Sequence, residues 1–471
     1  MSEPSIGDLL VLVGSLRDQV SQLRADNERL RARVVELEAQ LKATSRNSSK
    51  PPSADGLGKP APKSLRKKTG RRPGGQPGRP GRTLRQVEHP DQVVIHEPRC
   101  CPGCGADPRA GHRVRVERRQ VFDLPPAVVE VTEHQLVTRR CRCGMTCTGS
   151  APDRVAAPVQ YGPRVAALIV YLYVGQFLSK KRTAAAVADL FGLPVAEGTV
   201  AGVTARAAQD LAPFLTAVRA QLTDAPLVHF DETGLRVAGG LHWLHSASTT
   251  TAALLHVHRR RGREGMLDAG VLTDFAGIAV HDAWAPYDTF PAPRHVLCNA
   301  HLLRELQAVI DTTAGAEPPP PGRWCWAGQV TDALLELKHH IDTGTPLDPA
   351  VVTELTRRIR DAATITAADT TNPGRLGNKH RALARRIRDR LPAYLAFTTD
   401  PAIPFDNNPA EREIRMVKIR QKVSGCLRTL TGAQQFAAIR SYTATTGKNG
   451  VNLYDALTQL TTGNPWQPTT T

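Results

Sequence analysis

No apolar run in this chain is long enough to cross a bilayer. The longest, Val165 to Leu178, falls short of the roughly twenty residues a spanning helix needs. The N-terminus has neither a basic leader nor a small-residue cleavage site, so no secretory signal is expected. A disulfide framework is missing too. Six of the nine cysteines lie between Cys100 and Cys147, a clustering that fits metal ligation in a reducing cytoplasm. Acids are in short supply: 44 Asp and Glu face 61 Lys and Arg, a net charge of +17. That balance favours a polyanionic partner, nucleic acid ahead of membrane. At 471 residues the chain has room for several domains with full cores.

Leu9, Leu16, Leu23, Leu30 and Leu37 recur every seven residues, and Val13, Val20, Asn27, Val34 and Leu41 follow each by four. Leucine at d, valine at a and one Asn at a predict a parallel two-stranded coiled coil over 1–43, hence a homodimer. Residues 44–96 read as a basic flexible linker. From Lys50 to Arg85 eleven Lys or Arg meet one acid, Asp55, with Gly and Pro throughout. Residues 97–150 carry Cys101-Pro-Gly-Cys104 and Cys141-Arg-Cys143. Four thiolates predict one structural zinc, with Cys147 or Cys100 as substitutes because the second pair is a residue short. The alternative is a set of buried or free thiols. Short alternating runs at Gln120–Phe122 and Ala127–Leu136 read as strands.

Residues 151–222 read as helical. Arg164–Leu178 and Val200–Leu222 are each expected as a continuous helix, with a helix–turn–helix that either meets DNA or belongs to a plain bundle. Then the pattern changes. Ala225–Asp231, Leu241–Ser248 and Ala252–His258 read as a meander, Arg263–Leu272 as a helix and Gly277–Asp282 as a buried strand. That order opens an RNase H-like fold, assigned to 223–424. Asp231 and Asp282 end two of its strands.

The third acid comes from Asp406-Asn-Asn-Pro-Ala-Glu411, where a single carboxylate opens a strongly basic helix. Glu411 has a competing structural reading: Asn408 as N-cap, Pro409 at N1 and Glu411 at N3 of a capping box, or a pair with Arg415. Three converging carboxylates suit two magnesium (or manganese) ions and phosphodiester chemistry. Glu232 follows Asp231 and is expected on the opposite face. Asp288 lies past a strand end. Both are set aside as non-catalytic controls. Arg412, Arg415, Lys418, Arg420 and Lys422 are expected to include phosphate contacts, as are Arg385 and Arg386 in a basic helix near 378–391. The 128 residues between Asp282 and Glu411 exceed any simple linker and predict a helical insertion over about 299–402. It opens with Cys298 and His301, read first as a helix-packing pair. Residues 425–471 form a C-terminal helical segment. The whole is a multidomain α+β chain.

Along almost its whole length the chain resembles the insertion-sequence-66 type of DDE transposase. The resemblance rests on the leucine array, Asn47-Ser-Ser-Lys-Pro-Pro-Ser53, Pro73-Gly-Gly-Gln-Pro-Gly-Arg-Pro-Gly-Arg82 and the Cys pairs. It continues through Gln160-Tyr-Gly-Pro163, Asp189-Leu-Phe-Gly-Leu-Pro194, Asp231-Glu-Thr-Gly234, His281-Asp-Ala-Trp284, Cys298-Asn-Ala-His301 and Asp406–Arg412. It implies that Asp231, Asp282 and Glu411 are the catalytic triad and that 97–150 binds zinc. It further implies cleavage and strand transfer at terminal inverted repeats, a target DNA, accessory proteins of the same element, and a cytoplasmic, nucleoid-associated location without a membrane. Two other classes compete: a non-enzymatic DNA-binding regulator, and a nuclease of the same fold.

Overall fold

The computed structural model describes residues 6–41, 84–125, 129–313, 325–344, 348–371 and 374–468. They form two compact units, Pro62–Gln135 on one hand and Met1–Ala61 with Leu136–Thr471 on the other. Most of the expected basic linker, residues 44–83 of 44–96, lies outside the described residues.

In the smaller unit no described residue belongs to a strand. Neither Gln120–Phe122 nor the described part of Ala127–Leu136 pairs in a ladder. The reason is exposure: Val121, Leu124 and Val131 all project into solvent, and alternation makes a strand only where one face is buried. Side chains take the place of a ladder here. Gln120 accepts from the Val87 amide at 2.7 Å and donates to its carbonyl at 2.8 Å.

The larger unit begins with α1 (Ile6–Leu41), a helix of 36 residues. Leu16, Leu23, Leu30 and Leu37 are exposed along it, as is Asn27; the side chain of Leu9 lies outside the described ones. A two-stranded ribbon follows, β1 (Thr138–Arg140) with β2 (Thr146–Thr148). It flanks Cys141 and Cys143 and was not anticipated.

The helices α2 (Pro163–Val170), α3 (Lys180–Phe191), α4 (Glu197–Asp210) and α5 (Ala212–Thr223) come next. Two expected long helices are therefore broken. The first passes into a π-turn, Tyr171–Gly175. The second breaks at Leu211, since Pro213 in the first turn of α5 has no N–H to continue the ladder.

The sheet holds β3 (Leu227–Val237), β4 (Gly240–Ser248), β5 (Ala253–His258), β6 (Ile278–His281) and β7 (Arg294–Leu297). Its order is β5-β4-β3-β6-β7, antiparallel across the first three strands and parallel from β3 to β7. The β3–β4 hairpin turns through Ala238 and Gly239, both at positive φ (49° and 80°), as the twist-matched two-residue turn requires. Helix α6 (Arg263–Ala269) crosses from β5 to β6. β7, only four residues after Pro291 and Pro293, was missed in the sequence.

Two cores result. One joins the sheet to α2, α4, α5, α12 (Asn408–Ser424), α13 (Leu430–Lys448) and α14 (Leu453–Thr461), with Phe214 edge-on to Tyr442 at 4.9 Å. The other packs α7 (Asn299–Thr313), α8 (Trp326–Asp342), α9 (Pro349–Ala368), α10 (Arg375–Asp389) and α11 (Leu391–Leu395) against β6 and β7.

Helix α13 also seals the β5 edge. The Ala253 amide donates to Thr445 Oγ1 at 3.1 Å and the Leu255 amide to Ser441 Oγ at 2.8 Å. The Thr445 hydroxyl donates back to the Ala253 carbonyl at 3.2 Å, while the Ser441 hydroxyl has its one proton between the Ala437 carbonyl at 2.9 Å and the Leu255 carbonyl at 3.4 Å. Four helical residues rise about 6 Å and two strand residues about 6.6 Å, so the spacings match. The hydroxyls thus act as a neighbouring strand on an edge that would otherwise invite association. Replacing Ser441 by Ala together with Thr445 by Val strands two buried amides. Stability should fall by about 2–5 kcal/mol in urea unfolding; a change under about 0.5 kcal/mol, the level of a surface substitution, would show that these bonds carry nothing.

Candidate active site

The parallel pairing of β3 with β6 sets the two aspartates. Its register matches Leu227 with Ile278, Val228 with Ala279 and His229 with Val280. Continued by two residues, it brings Asp231 level with Asp282. Adjacent strands lie about 4.8 Å apart, so the two carboxyls share one end of the sheet. Asp231 takes the Glu232 amide at 2.9 Å. Asp282 takes the Trp284 amide at 3.0 Å.

Glu411 arrives on α12, and a buried side chain brings it there. Asn407 donates to the Phe230 carbonyl at 2.6 Å, and its Oδ1 lies 2.8 Å from His229 Nδ1. Its own amide donates to Cys298 Sγ at 3.2 Å. Cys298 in turn hydrogen-bonds the His281 carbonyl at 2.9 Å. The helix thus starts at Asn408 with Asn407 as the cap residue, one earlier than the sequence suggested, and no side chain caps it. The capping box for Glu411 is not formed. Its carboxylate meets Arg304 at 3.2 Å and His301 at 3.8 Å, both from α7. Cys298 and His301 are therefore neighbours of the acidic group and more than a packing pair.

The three acids interact. Burial, then the charges of Glu232, Asp282 and Glu411, pushes the Asp231 carboxyl well above the usual range. Asp282 is raised by burial, with the Trp284 amide and Arg261, Arg386 and Arg304 opposing. Burial takes His301 down to about 3 and its neighbour Cys298 up to about 12, so a neutral imidazole and a thiol face Glu411. His301 Nδ1 has no protein partner.

Glu232 is no idle bystander. It is buried, ion-paired to Arg261 at 2.7 Å and hydrogen-bonded by Tyr287 at 2.7 Å. Burial and the Asp282 charge push it up to about 7, against Arg261 and Tyr287. The expectation that it is dispensable rested on strand alternation alone. Asp288 pairs with Arg390 at 2.8 Å.

The cations expected on DNA divide. Arg412, Arg415, Lys422 and Arg385 are exposed. Arg420 is buried, donates to the Gly425 carbonyl at 2.7 Å and lies over Phe436. It shares a face with Ala410, Ile414 and Val417, a spacing that marks it as inward. Lys418 is partly buried and donates to the Gly234 carbonyl. Arg386 is taken by Glu305 and by Tyr394 Oη. These three are not free phosphate ligands.

Each cysteine pair folds as a tight turn. The Gly105 amide donates to the Cys101 carbonyl at 2.8 Å, with Gly105 at φ 74°. The Gly144 amide donates to the Cys141 carbonyl at 2.9 Å, with Gly144 at φ 92°. The Cys104 amide, then Gly103, lowers the Cys101 thiol; the Cys143 amide lowers Cys141. Amides that favour thiolate fit zinc. Cys147 sits on β2 and Cys100 is exposed. The crowded carboxylates likewise fit a divalent cation, whose charge relieves their repulsion. Among the described residues, no three His, Cys, Asp or Glu side chains stand close enough together to hold an ion as they are.

Comparison with known proteins adds the class. The chain matches the zinc-finger binding domain of IS66 transposases over residues 98–144, so the cysteine turns belong to a transposase zinc finger. Residues 158–435, more than half of the chain, match the IS66 family transposase model and include all three carboxylates. The chain belongs to the IS66 transposase family. Residues 2–85 match a family of unknown function, DUF6444. No curated protein matches.

Among the residues not foreseen, Asn407 is the most exposed to test. Asn407→Ala strands the Phe230 carbonyl and His229 and should cost about 2–4 kcal/mol. Asn408→Ala, at the surface, should stay within about 0.5 kcal/mol. Equal losses in urea unfolding would return the cap to Asn408.

Proposed function

We propose that the chain is a DDE-type DNA transposase, with Asp231, Asp282 and Glu411 as the catalytic carboxylates on an RNase H-like sheet. One observation carries the reading: the β3–β6 register that sets Asp231 level with Asp282, beside a helix start pinned to β3 through Asn407. The strand order, three antiparallel strands followed by two parallel ones, supports the fold. The reaction breaks one phosphodiester at each inverted-repeat end by attack of water, leaving a 3′-hydroxyl. That hydroxyl then displaces a phosphodiester oxygen of the target.

Magnesium or manganese held by the three carboxylates would supply Lewis-acid charge for the attacking and leaving oxygens. The protein's own side chains do the rest. The Trp284 amide orients Asp282. Arg304 balances Glu411 until a cation takes that charge. Arg412, next to Glu411, and Arg415, one turn further along α12, both exposed, hold the DNA backbone. Cys101, Cys104, Cys141 and Cys143 would supply the thiolates for one structural zinc, a reading supported by the zinc-finger match over residues 98–144. The α1 seam pairs with a second copy in a parallel dimer, since an exposed leucine–valine stripe with one Asn is what such a dimer buries. The partners are the element's inverted repeats, a target DNA and accessory proteins of the same element. No described helix is long and apolar enough to cross a membrane; the work is done in the cytoplasm, at the nucleoid.

Asp231→Asn, Asp282→Asn and Glu411→Gln should each cut cleavage and joining to about a thousandth or less, several kcal/mol of lost charge stabilisation. Repeat binding should persist. Because no capping box forms at Glu411, Gln there rescues nothing. Robust joining by any of the three with magnesium would remove that residue from the site, and nicked but unjoined products from the unmodified chain would make it a nuclease.

Arg412→Gln or Arg415→Gln should weaken binding to all DNA sequences and reduce the salt slope by about one unit each. Arg420→Gln should instead lower the melting temperature and leave the slope unchanged. A slope unchanged in both surface variants would make α12 a solvated face.

A further inference from the structure

Arg261, in the segment between β5 and α6, is held from several directions. Its guanidinium lies over the Trp284 ring at 3.8 Å and the Trp243 ring at 5.0 Å. Its Nε and Nη2 donate to Glu232 Oε1 at 3.0 and 2.7 Å. The other Glu232 oxygen accepts from Tyr287 Oη at 2.7 Å. Glu232 is 1% exposed at its side chain and Arg261 35%. A planar fork engaged by both a carboxylate and aromatic faces has little rotational freedom left.

The far end of this arrangement is Asp282. The residue whose ring Arg261 stacks on is the one whose backbone amide donates to Asp282 Oδ1 at 3.0 Å. Trp284 stands between β6 and a short 3₁₀ turn, Ala285–Thr289, in a stretch with no ladder of its own. The Trp284 carbonyl accepts from the Tyr287 amide at 3.2 Å at the start of that turn, and the ring on Arg261 is a second hold on the same residue. Glu232 belongs to β3, next to Asp231, so β3 reaches the loop carrying Asp282 by a second route besides the strand pairing.

We propose that Glu232, Arg261 and Trp284 form a positioning relay: Glu232 orients Arg261, Arg261 clamps the Trp284 ring, and the Trp284 amide sets the Asp282 carboxylate to receive a divalent cation. The inference rests on the carboxylate site proposed above. None of the three residues touches substrate; each acts through the next. The relay accounts for two otherwise unexplained expenditures of burial, a desolvated glutamate beside two other acids and an arginine spanning two tryptophans. Groups that orient a metal ligand typically alter affinity 10- to 100-fold when removed.

The test measures Mn2+ binding to the full chain by calorimetry, alongside thermal melting and the Mn2+ dependence of strand transfer. Glu232→Gln and Arg261→Lys should weaken Mn2+ binding about 10- to 100-fold, with joining restored at raised Mn2+. Trp284→Ala should behave likewise, whereas Trp284→Phe, which keeps an aromatic face, should stay within about threefold of the unmodified chain. Asp282→Asn separates the two proposals. If it leaves Mn2+ binding unchanged, the carboxylate site itself falls, and the relay with it. If it abolishes binding while folded Arg261→Lys and Trp284→Ala bind Mn2+ as the unmodified chain does, the relay alone is overturned. Should Glu232→Gln fail to fold, the Trp284→Ala and Trp284→Phe pair decides the matter by the same measurement.

Discussion

A single buried amide joins the parts of this site. Asn407 reaches β3 with its side chain and Cys298 with its backbone, and Cys298 is tied to the end of β6. Asp231, Asp282 and Glu411 stand on three segments far apart in sequence, and each leaves its element within four residues of that knot. Bringing such distant segments together costs loop-closure entropy that grows only slowly with length. The insertion of α7–α11 is therefore tolerable, provided its base is closed. The closure is visible: the Asn299 amide donates to the Phe405 carbonyl at 3.1 Å, and Asn299 Nδ2 to the Tyr394 carbonyl at 2.8 Å. Its apolar core, shared with β6 and β7, and these base contacts together anchor the insertion beside Glu411.

Much of this was readable in the residues, and the remainder fails for physical reasons. The meander and the buried strand before Asp282 are short apolar runs bounded by turn residues, and they appear within two or three residues of their expected limits, except that β3 runs on to Val237. Strand β7 escaped because four residues wedged between Pro293 and the start of α7 carry almost no periodic signal. The strands expected near Gln120 and Ala127 had the alternation but no surface to bury it against. Asn407 was overlooked because its neighbour Asn408 satisfies the same capping rule, and sequence cannot say which asparagine is buried. Charge misled in a different way. A basic residue looks the same in sequence whether it faces DNA or a carbonyl, yet the apolar period of α12 does separate Arg420 from Arg412 and Arg415. Arg261 and Arg304 left no local signal, since each matters through partners tens of residues away; Trp284 stood in the His281-Asp-Ala-Trp284 motif, but its stacking on Arg261 could not be read there.

The distribution of compensating groups around the acids says which of them is least settled. Several carboxylates crowded in a desolvated site repel one another, and burial sharpens the repulsion. Glu232 has Arg261 and Tyr287. Asp282 has the Trp284 amide and the nearby charges of three arginines. Glu411 has Arg304. Asp231 has the Glu232 amide and the highest concentration of negative neighbours. The asymmetry has a direction. A cation placed at the sheet end gains most from Asp231, the acid with least protein compensation, and must compete with Arg304 for Glu411. On the proposed reading, Asp231 and Asp282 would form the standing part of a cation site, and Arg304 would compete with the cation for Glu411.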